Sequence, residues 1–595
     1  MRSICFALVF AAGVWATVAA APPAAAQAET RSADTAVRDV ARAYELHMRG
    51  VDPITAGFEG DRAALQRLPD ASPEFAASRA RTLRDMKALL AAIDPAALGA
   101  GARVDHETLK RTIDAELEGL AFDEGRFAFA NDSGYFSLMG YLAGATPIRT
   151  VADGEAWIAR LEATPRYYAQ NIANLRRAIA TRMMQPRPVV EAALVQVRAI
   201  PANAEASPLF APLLSMSPTI SASEQADLRA RAKAAIDQGV IPAQRETLAF
   251  LEREYLPRAP ASLAIRDRPN GAAYYAFLIR RHTTTSMTPD EVHALGLAEV
   301  ARIRARMDTV MRDSGFTGTF PEFLQYLRTD PRFYAKTPEE LLMRAAEIAK
   351  RADDRVPSVI GVMPRLPYGV RPVPADLAPT YTTGRYNPGS PKMGVAGGYM
   401  VNTSKLDQRP LYELPALTLH EAAPGHHTQI ALAQERDDLP WHRRNADVTA
   451  FIEGWGLYAE FLGEEMGIYR DPYEMFGRLS YEMWRACRLV ADTGIHWKRW
   501  SLPQARKCFE ENSALAPHNI TTELERYVSW PGQALGYKIG EIELRRLRAK
   551  ATQELGADFD VRAFHDAVLS EGALPLDLLA ARIDRWIAER KEKRS

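Results

Sequence analysis

His420-Glu421-Ala422-Ala423-Pro424-Gly425-His426-His427 gathers three of the chain's eleven histidines into eight residues and interrupts them with a proline and a glycine. Neutral imidazoles are common zinc ligands, and a carboxylate beside an activated water is the usual base in metal-assisted hydrolysis. The standard arrangement, H-E-x-x-H, uses one helical turn to bring both histidines to one face. Here the residue one turn after His420 is Pro424, which has no ligand atom to offer. On an ideal helix His426 would lie about 240° around from His420, and His427 nearly in phase but about 10.5 Å along the axis. Two nitrogens sharing one zinc each need a bond of about 2.0–2.1 Å. A straight helix therefore unites neither histidine with His420. Proline removes a helix donor and glycine tolerates unusual dihedrals, so a kink or bulge is expected at this pair. Looping out Pro424-Gly425 restores the H-E-x-x-H relation for His426 and favours it over His427, which is as readily an outer or solvent-facing residue as a ligand.

A second segment, Glu453-Gly454-Trp455-Gly456-Leu457-Tyr458-Ala459-Glu460, begins 26 intervening residues after His426. That length accommodates the rest of one helix, a break at residues 436–440 and the start of an antiparallel helix. Glu453 lies among Phe451, Ile452 and Trp455, where a carboxylate needs a partner. It is the expected third metal ligand. Glu460 shares its helix face, either as an outer support of the site or as a solvated carboxylate. The spacing thus predicts one Zn2+ per chain on His420, His426 and Glu453, with Glu421 as general base; iron or manganese would suit the same donors.

The combined H-E-x-x-P-G-H-H and E-G-W-x-L-Y-A-E segments resemble the bacterial domain-of-unknown-function 885 family. Matching pieces are Gly398-Tyr399-Met400-Val401-Asn402, Arg488-Leu489-Val490-Ala491-Asp492-Thr493-Gly494-Ile495-His496, and the run Trp530-Pro531-Gly532-Gln533-Ala534-Leu535-Gly536-Tyr537-Lys538-Ile539-Gly540. The resemblance implies a large helical zinc peptidase, distantly similar to thimet oligopeptidase, angiotensin-converting enzyme and the Taq-type carboxypeptidases. It also implies that His496 and Tyr537 steady the oxyanion, and that an edge strand at Gly397–Val401, including Gly398 and Tyr399, pairs with the substrate backbone. Gly456 stands where the family often has alanine, an exchange expected to affect only local helix stability. Arg488 and Lys538 are candidates for holding a substrate carboxylate, as in a carboxypeptidase or dipeptidase.

Helix signals dominate the chain. Ser72-Pro73, Thr164-Pro165, Thr288-Pro289 and Thr337-Pro338 each place a cap residue before a proline at the first helical position. Expected helices include residues 73–93, 105–120, 165–184, 289–313, 415–435, 446–466, 472–500, 531–554 and 576–593. Residues 357–391 hold eight prolines and read as a long irregular crossing. The expected fold is predominantly α, a two-lobed helical architecture with an N-terminal lobe at 29–270, a catalytic lobe at 271–595 and a small β-sheet beside the cleft.

Residues 1–28 read as an export signal. Arg2 supplies the positive charge, residues 4–20 the apolar run, and Ala26-Gln27-Ala28 the cleavage site. Cys5 lies at the start of the apolar run rather than at the cleavage site, which argues against lipoprotein processing. Cleavage after Ala28 would leave 595 − 28 = 567 residues and a periplasmic protein. The 74 basic and 74 acidic side chains balance. Such a chain presents no electrostatic footprint for nucleic acid, and the mature part has no segment suited to membrane insertion. Nothing in it specifies an oligomeric state. Cys487 and Cys508 are either a disulfide or two buried thiols. The expected substrate is a short peptide. The alternatives are an amidohydrolase acting on small N-acyl compounds and a non-catalytic periplasmic binding protein.

Overall fold

A computed structural model describes residues 32–375 and 377–593. The export signal expected at residues 1–28 lies outside the described residues. The fold is predominantly helical, with one small three-stranded sheet. No helix among the described residues is long and apolar enough to cross a membrane.

Capping chemistry accounts for many helix starts. Ser72 accepts a hydrogen bond from Phe75 N ahead of the helix Pro73–Ala91. Thr288 and Glu291 form a reciprocal capping box on Pro289–Asp313, and Thr337 caps Pro338–Arg355. Thr164-Pro165 behaves differently from expectation, because Pro165 lies inside the 31-residue helix Val151–Thr181. The stronger start is the capping box of Thr150 and Asp153, which satisfies donors at both ends of the first turn. Thr164 Oγ1 donates to Arg160 O at 2.9 Å within the turn that the proline disturbs.

Six helices build the functional region: α1 (Leu414–Glu421), α2 (His426–Gln434), α3 (Thr449–Glu465), α4 (Pro472–His496), α5 (Pro517–Ser529) and α6 (Gly536–Leu555). Helices α3 and α6 cross where Gly454 meets Gly540; a Cβ on Gly454 would come within 2.6 Å of the Gly540 backbone. Helix α4 is buried along nearly its whole length. The largest apolar core combines Val104, Tyr168 and Phe250 with Leu419, Trp455 and Leu547, so packing continues across residue 270.

The proline-rich stretch is more ordered than its composition predicts. It contains strands β1 (Tyr368–Pro372) and β2 (Gly384–Asn387), which flank β3 (Gly397–Val401) in the order β1-β3-β2. β3 runs parallel to β1 and antiparallel to β2. The prolines lie at strand ends and in connections, where no ladder donor is lost. The strand at Gly397–Val401 is therefore central and fully buried, and both its edges are taken. Gly398 and Tyr399 consequently offer no free edge to a substrate; Tyr399 shares a hydrogen bond with Thr418 at 3.1 Å. β2 is the edge strand on the side of the site.

Cys487 of α4 and Cys508 of the helix Leu502–Asn512 form a disulfide across a sequence separation of 21. A closed loop of that size restricts the unfolded chain by about 3 kcal/mol. Cys508→Ser is expected to lower unfolding stability in denaturant titrations by about 2–4 kcal/mol. Equal midpoints for the oxidised and mutant proteins would contradict the contribution assigned to this bond.

Candidate metal centre

The motif helix does break at the Pro-Gly pair. α1 ends at Glu421 and α2 begins at His426, with the Ala423–Pro424 peptide cis between them. Ala422 and Gly425 leave helical geometry at ψ −127° and −129°. Gly425 is held against the end of α1 so closely that a Cβ there would lie 2.0 Å from His420 O and 2.3 Å from Leu419 O. Only glycine fits this approach. Trp455 Nε1 of α3 donates to Pro424 O at 2.8 Å and ties the break to the neighbouring helix.

This break brings His420 and His426 together, with their ring centres 4.6 Å apart and nearly perpendicular. Glu453 Oε2 lies 3.4 Å from His420 Nε2 and 3.3 Å from His426 Nε2. Donors bound tetrahedrally at about 2.0–2.1 Å stand about 3.3–3.4 Å from one another, so these separations suit a zinc ion. Glu453 Oε2 and His426 Nδ1 are buried and have no hydrogen-bond partner among the described residues. An unpartnered carboxylate oxygen aimed between two imidazole nitrogens fits a cation at that point. The two imidazoles and one carboxylate are a zinc donor set, and iron or manganese would accept the same donors.

His420 is oriented from behind. Its Nδ1 donates to Glu460 Oε1 at 2.9 Å, leaving Nε2 for a metal. Glu460 is fully buried and also receives Arg485 Nη2 at 3.0 Å. Its sequence alternative, a solvated helix carboxylate, is thereby excluded. Burial alone would lower the His420 pKa, but Glu453 and Glu460 on its two nitrogens outweigh that effect and push it up to about 9. Glu453 moves the other way: burial opposes its charge, and His426 and His420 hold it well below the usual carboxylate range. The cluster is thus set for positive charge at its centre.

Gly456 has more than helix stability at stake. A Cβ there would meet His420 Cε1 at 2.7 Å and Nε2 at 2.8 Å. The missing side chain makes room for the imidazole. His427 faces away from the cluster. Its Nδ1 shares a hydrogen bond with Tyr386 OH at 3.0 Å, its ring packs 4.6 Å from Tyr368, and burial holds its pKa at about 4.

His420, Glu421, His426 and Glu453 line a cavity of about 330 Å³ with Tyr381, Arg385, Arg526 and Tyr537. The opposite wall comes from the first half of the chain, at residues 130–133 and Tyr141. That wall is pinned by Gln185 Nε2, which donates to Phe129 O and Ser529 O at 3.0 and 2.9 Å. Tyr537 is on the cavity wall: its ring stacks 6.2 Å from that of His420, and its hydroxyl accepts from Arg526 Nη2 at 3.3 Å.

The other expected residues have structural duties. His496 uses both ring nitrogens on backbone, Nε2 to Tyr527 O at 2.8 Å and Nδ1 from Ile265 N at 3.3 Å, and burial holds its pKa at about 4. It lies outside the metal cavity and has no proton to offer an oxyanion there. Arg488 donates to Glu523 at 2.8 Å and to Tyr527 OH at 3.0 Å, with its guanidinium 4.1 Å from the Tyr537 ring. Lys538 is fully buried, at 2.8 Å from both Glu482 and Glu541. Neither cation lines the cavity, so neither is placed to meet a substrate carboxylate. Sequence reasoning missed Arg385 and Arg526, the arginines that do line it. Arg526 lies four residues before the Trp530 segment and Arg385 in the proline-rich stretch, and neither carries a motif.

The chain matches the family described as "Bacterial protein of unknown function (DUF885)" over residues 53–583, and it belongs to that family. A crystal structure described as a "putative lipoprotein" from Colwellia psychrerythraea is 26% identical, with a TM-score of 0.88 over 94% of this chain and 100% of that one. A structure from Shewanella oneidensis, described as a "putative lipoprotein of unknown function", is 19% identical, with a TM-score of 0.65 over 92% of this chain and 99% of that one. No curated protein matches.

The purified protein is expected to bind one zinc ion, measured by elemental mass spectrometry. His420→Ala and Glu453→Ala should abolish binding, whereas His427→Ala should retain it. Gly456→Ala and Glu460→Gln should each weaken zinc affinity by about 10–100-fold in chelator competition. Retained zinc in His420→Ala, or its loss in His427→Ala, would assign the ligands differently.

Proposed function

We propose that this protein is a zinc-dependent hydrolase that cleaves the amide bond of short peptides. The observation that carries this reading is the meeting of His420 Nε2, His426 Nε2 and Glu453 Oε2 in a cavity that Glu421 also lines. Zinc at that point would supply a Lewis acid and acidify a water. Glu421 follows His420 in sequence and shares its cavity, so it is the base that takes the water's proton and returns it to the leaving amine. Tyr537 is the donor for the carbonyl oxygen as charge builds there, and Arg526 behind its hydroxyl favours that charge. β2, the edge strand on the cavity wall, replaces Gly397–Val401 as the strand beside which an extended substrate would lie.

The cavity's size supports a small substrate, since about 330 Å³ is near the lower end for small-molecule sites. The same residues would cleave small N-acyl compounds, and that is the second reading. Non-catalytic binding is disfavoured because metal binding alone has no use for Glu421. The two structural relatives described as putative lipoproteins support export of this chain. The position of Cys5 and the Ala26-Gln27-Ala28 site favour release into the periplasm after cleavage over lipid attachment.

Turnover of short peptides and N-acyl amino acids by the zinc-loaded protein tests the reading. Glu421→Gln should keep its zinc and lose about 10²–10⁴-fold in kcat. Tyr537→Phe should lose about 10²–10³-fold in kcat with little change in KM. Wild-type rates in Glu421→Gln would overturn the proposed chemistry.

A further inference from the structure

Two arginines reach the wall of the metal cavity, and their surroundings differ. Arg526 already has company: Glu523 Oε2 lies 3.5 Å from Nη1, and Nη2 is engaged by Gln533 and Tyr537. Arg385 is engaged by two tyrosines, Tyr141 and Tyr381, as hydrogen-bond partners, and by no acid among the described residues. Its guanidinium lies 5.2 Å from the ring centres of both Tyr141 and Tyr381, and no carboxylate comes within ion-pair distance among the described residues. Asp132 lines the same cavity but accepts from Ser133 Oγ at 3.0 Å. A partly buried cation between two aromatic faces is attracted by their quadrupoles yet keeps its charge. Its tyrosine partners leave it without a carboxylate beside it among the described residues, a place that an incoming anion can take.

The position is also fixed. Arg385 pairs with Met400 across the β2–β3 ladder, and the next residue, Tyr386, shares its hydroxyl hydrogen bond with His427. Backbone and ring contacts together hold the planar fork in place, which suits bidentate capture of a carboxylate.

We propose that Arg385 is the anion anchor of this cavity, and that its ligand carries a free carboxylate held there while the amide lies toward Glu421. As a statement about substrate it rests on the hydrolase reading above; as a statement about binding it does not. The inference selects short peptide acids and N-acyl amino acids over their amides.

The test uses zinc-loaded Glu421→Gln, which binds without turning over. A mixed-sequence pool of dipeptides, N-acetyl amino acids and the C-terminal amides of both is equilibrated with the protein, and the retained compounds are weighed by mass spectrometry. Free acids should be retained at least tenfold over the matching amides. Adding Arg385→Gln should abolish that preference, and adding Arg385→Lys should keep part of it at an unchanged melting temperature. Retention confined to amides with an acidic side chain, and lost with Arg385→Gln, would keep the anchor and place the carboxylate on the side chain. Equal retention of acids and amides, or retention of neither, overturns the proposal. Zinc content and wild-type turnover are measured separately. Lost selectivity with turnover intact is a failure of the anchor; intact selectivity without turnover is a failure of the hydrolase reading.

Discussion

The backbone of Gly425 rests against the carbonyls of Leu419 and His420, and the arrangement of the centre follows from that contact. It ends α1 immediately after Glu421 and lets α2 start with His426 at the mouth of the same cavity. α3 then does several things at once. Trp455 holds the break through Pro424 O, Gly456 leaves space for the His420 ring, and Glu453 and Glu460 approach that ring from its two nitrogens. Gly456 and Glu460 share the face of α3 that carries Glu453, so a change at any of the three is felt at the cluster.

Charge separates the functional groups from the structural ones. The buried network of Lys538 with Glu482 and Glu541, joined by Arg478 and Arg545, and the pair of Arg488 with Glu523 compensate their own charges and fix α4, α5 and α6 against one another. Removing one partner from such a pair leaves an uncompensated buried charge, which makes these pairs matter to the fold whatever the chemistry. Glu453 is different. Its neighbours are two imidazoles, which balance it only when protonated or when they share a cation with it. Arg385 is the complementary case, a cation on the same cavity with no carboxylate in ion-pair distance among the described residues.

Much of the meeting of His420, His426 and Glu453 was legible in the sequence because it depends on local geometry. The impossibility of sharing a metal on a straight helix already pointed to a break at Pro424-Gly425, and looping out that pair, which restores the H-E-x-x-H spacing, favoured His426 over His427. Glu453 was legible from its apolar company. What escaped was tertiary. β3 reads as a strand, but that it is central rather than at the edge depends on β1 and β2, hidden in a proline-rich stretch whose prolines sit at strand ends. Arg488, Lys538 and His496 fall in segments that match the family, and a motif does not tell whether a residue meets a ligand or a buried partner. Pro165 misled for a related reason: a threonine-proline pair resembles a helix start until the stronger box at Thr150 is weighed against it. Gly456 looked neutral because the sequence does not display the imidazole opposite it.

X-ray absorption at the zinc edge of the metal-loaded protein tests the central claim most directly, since it reads the ligands themselves. Two imidazole nitrogens and low-atomic-number oxygen ligands are predicted at about 2.0–2.1 Å in four-coordinate geometry, unchanged in His427→Ala, with no zinc taken up by His426→Ala. A spectrum with a single imidazole, with sulfur, or with an imidazole lost on removing His427 would contradict it.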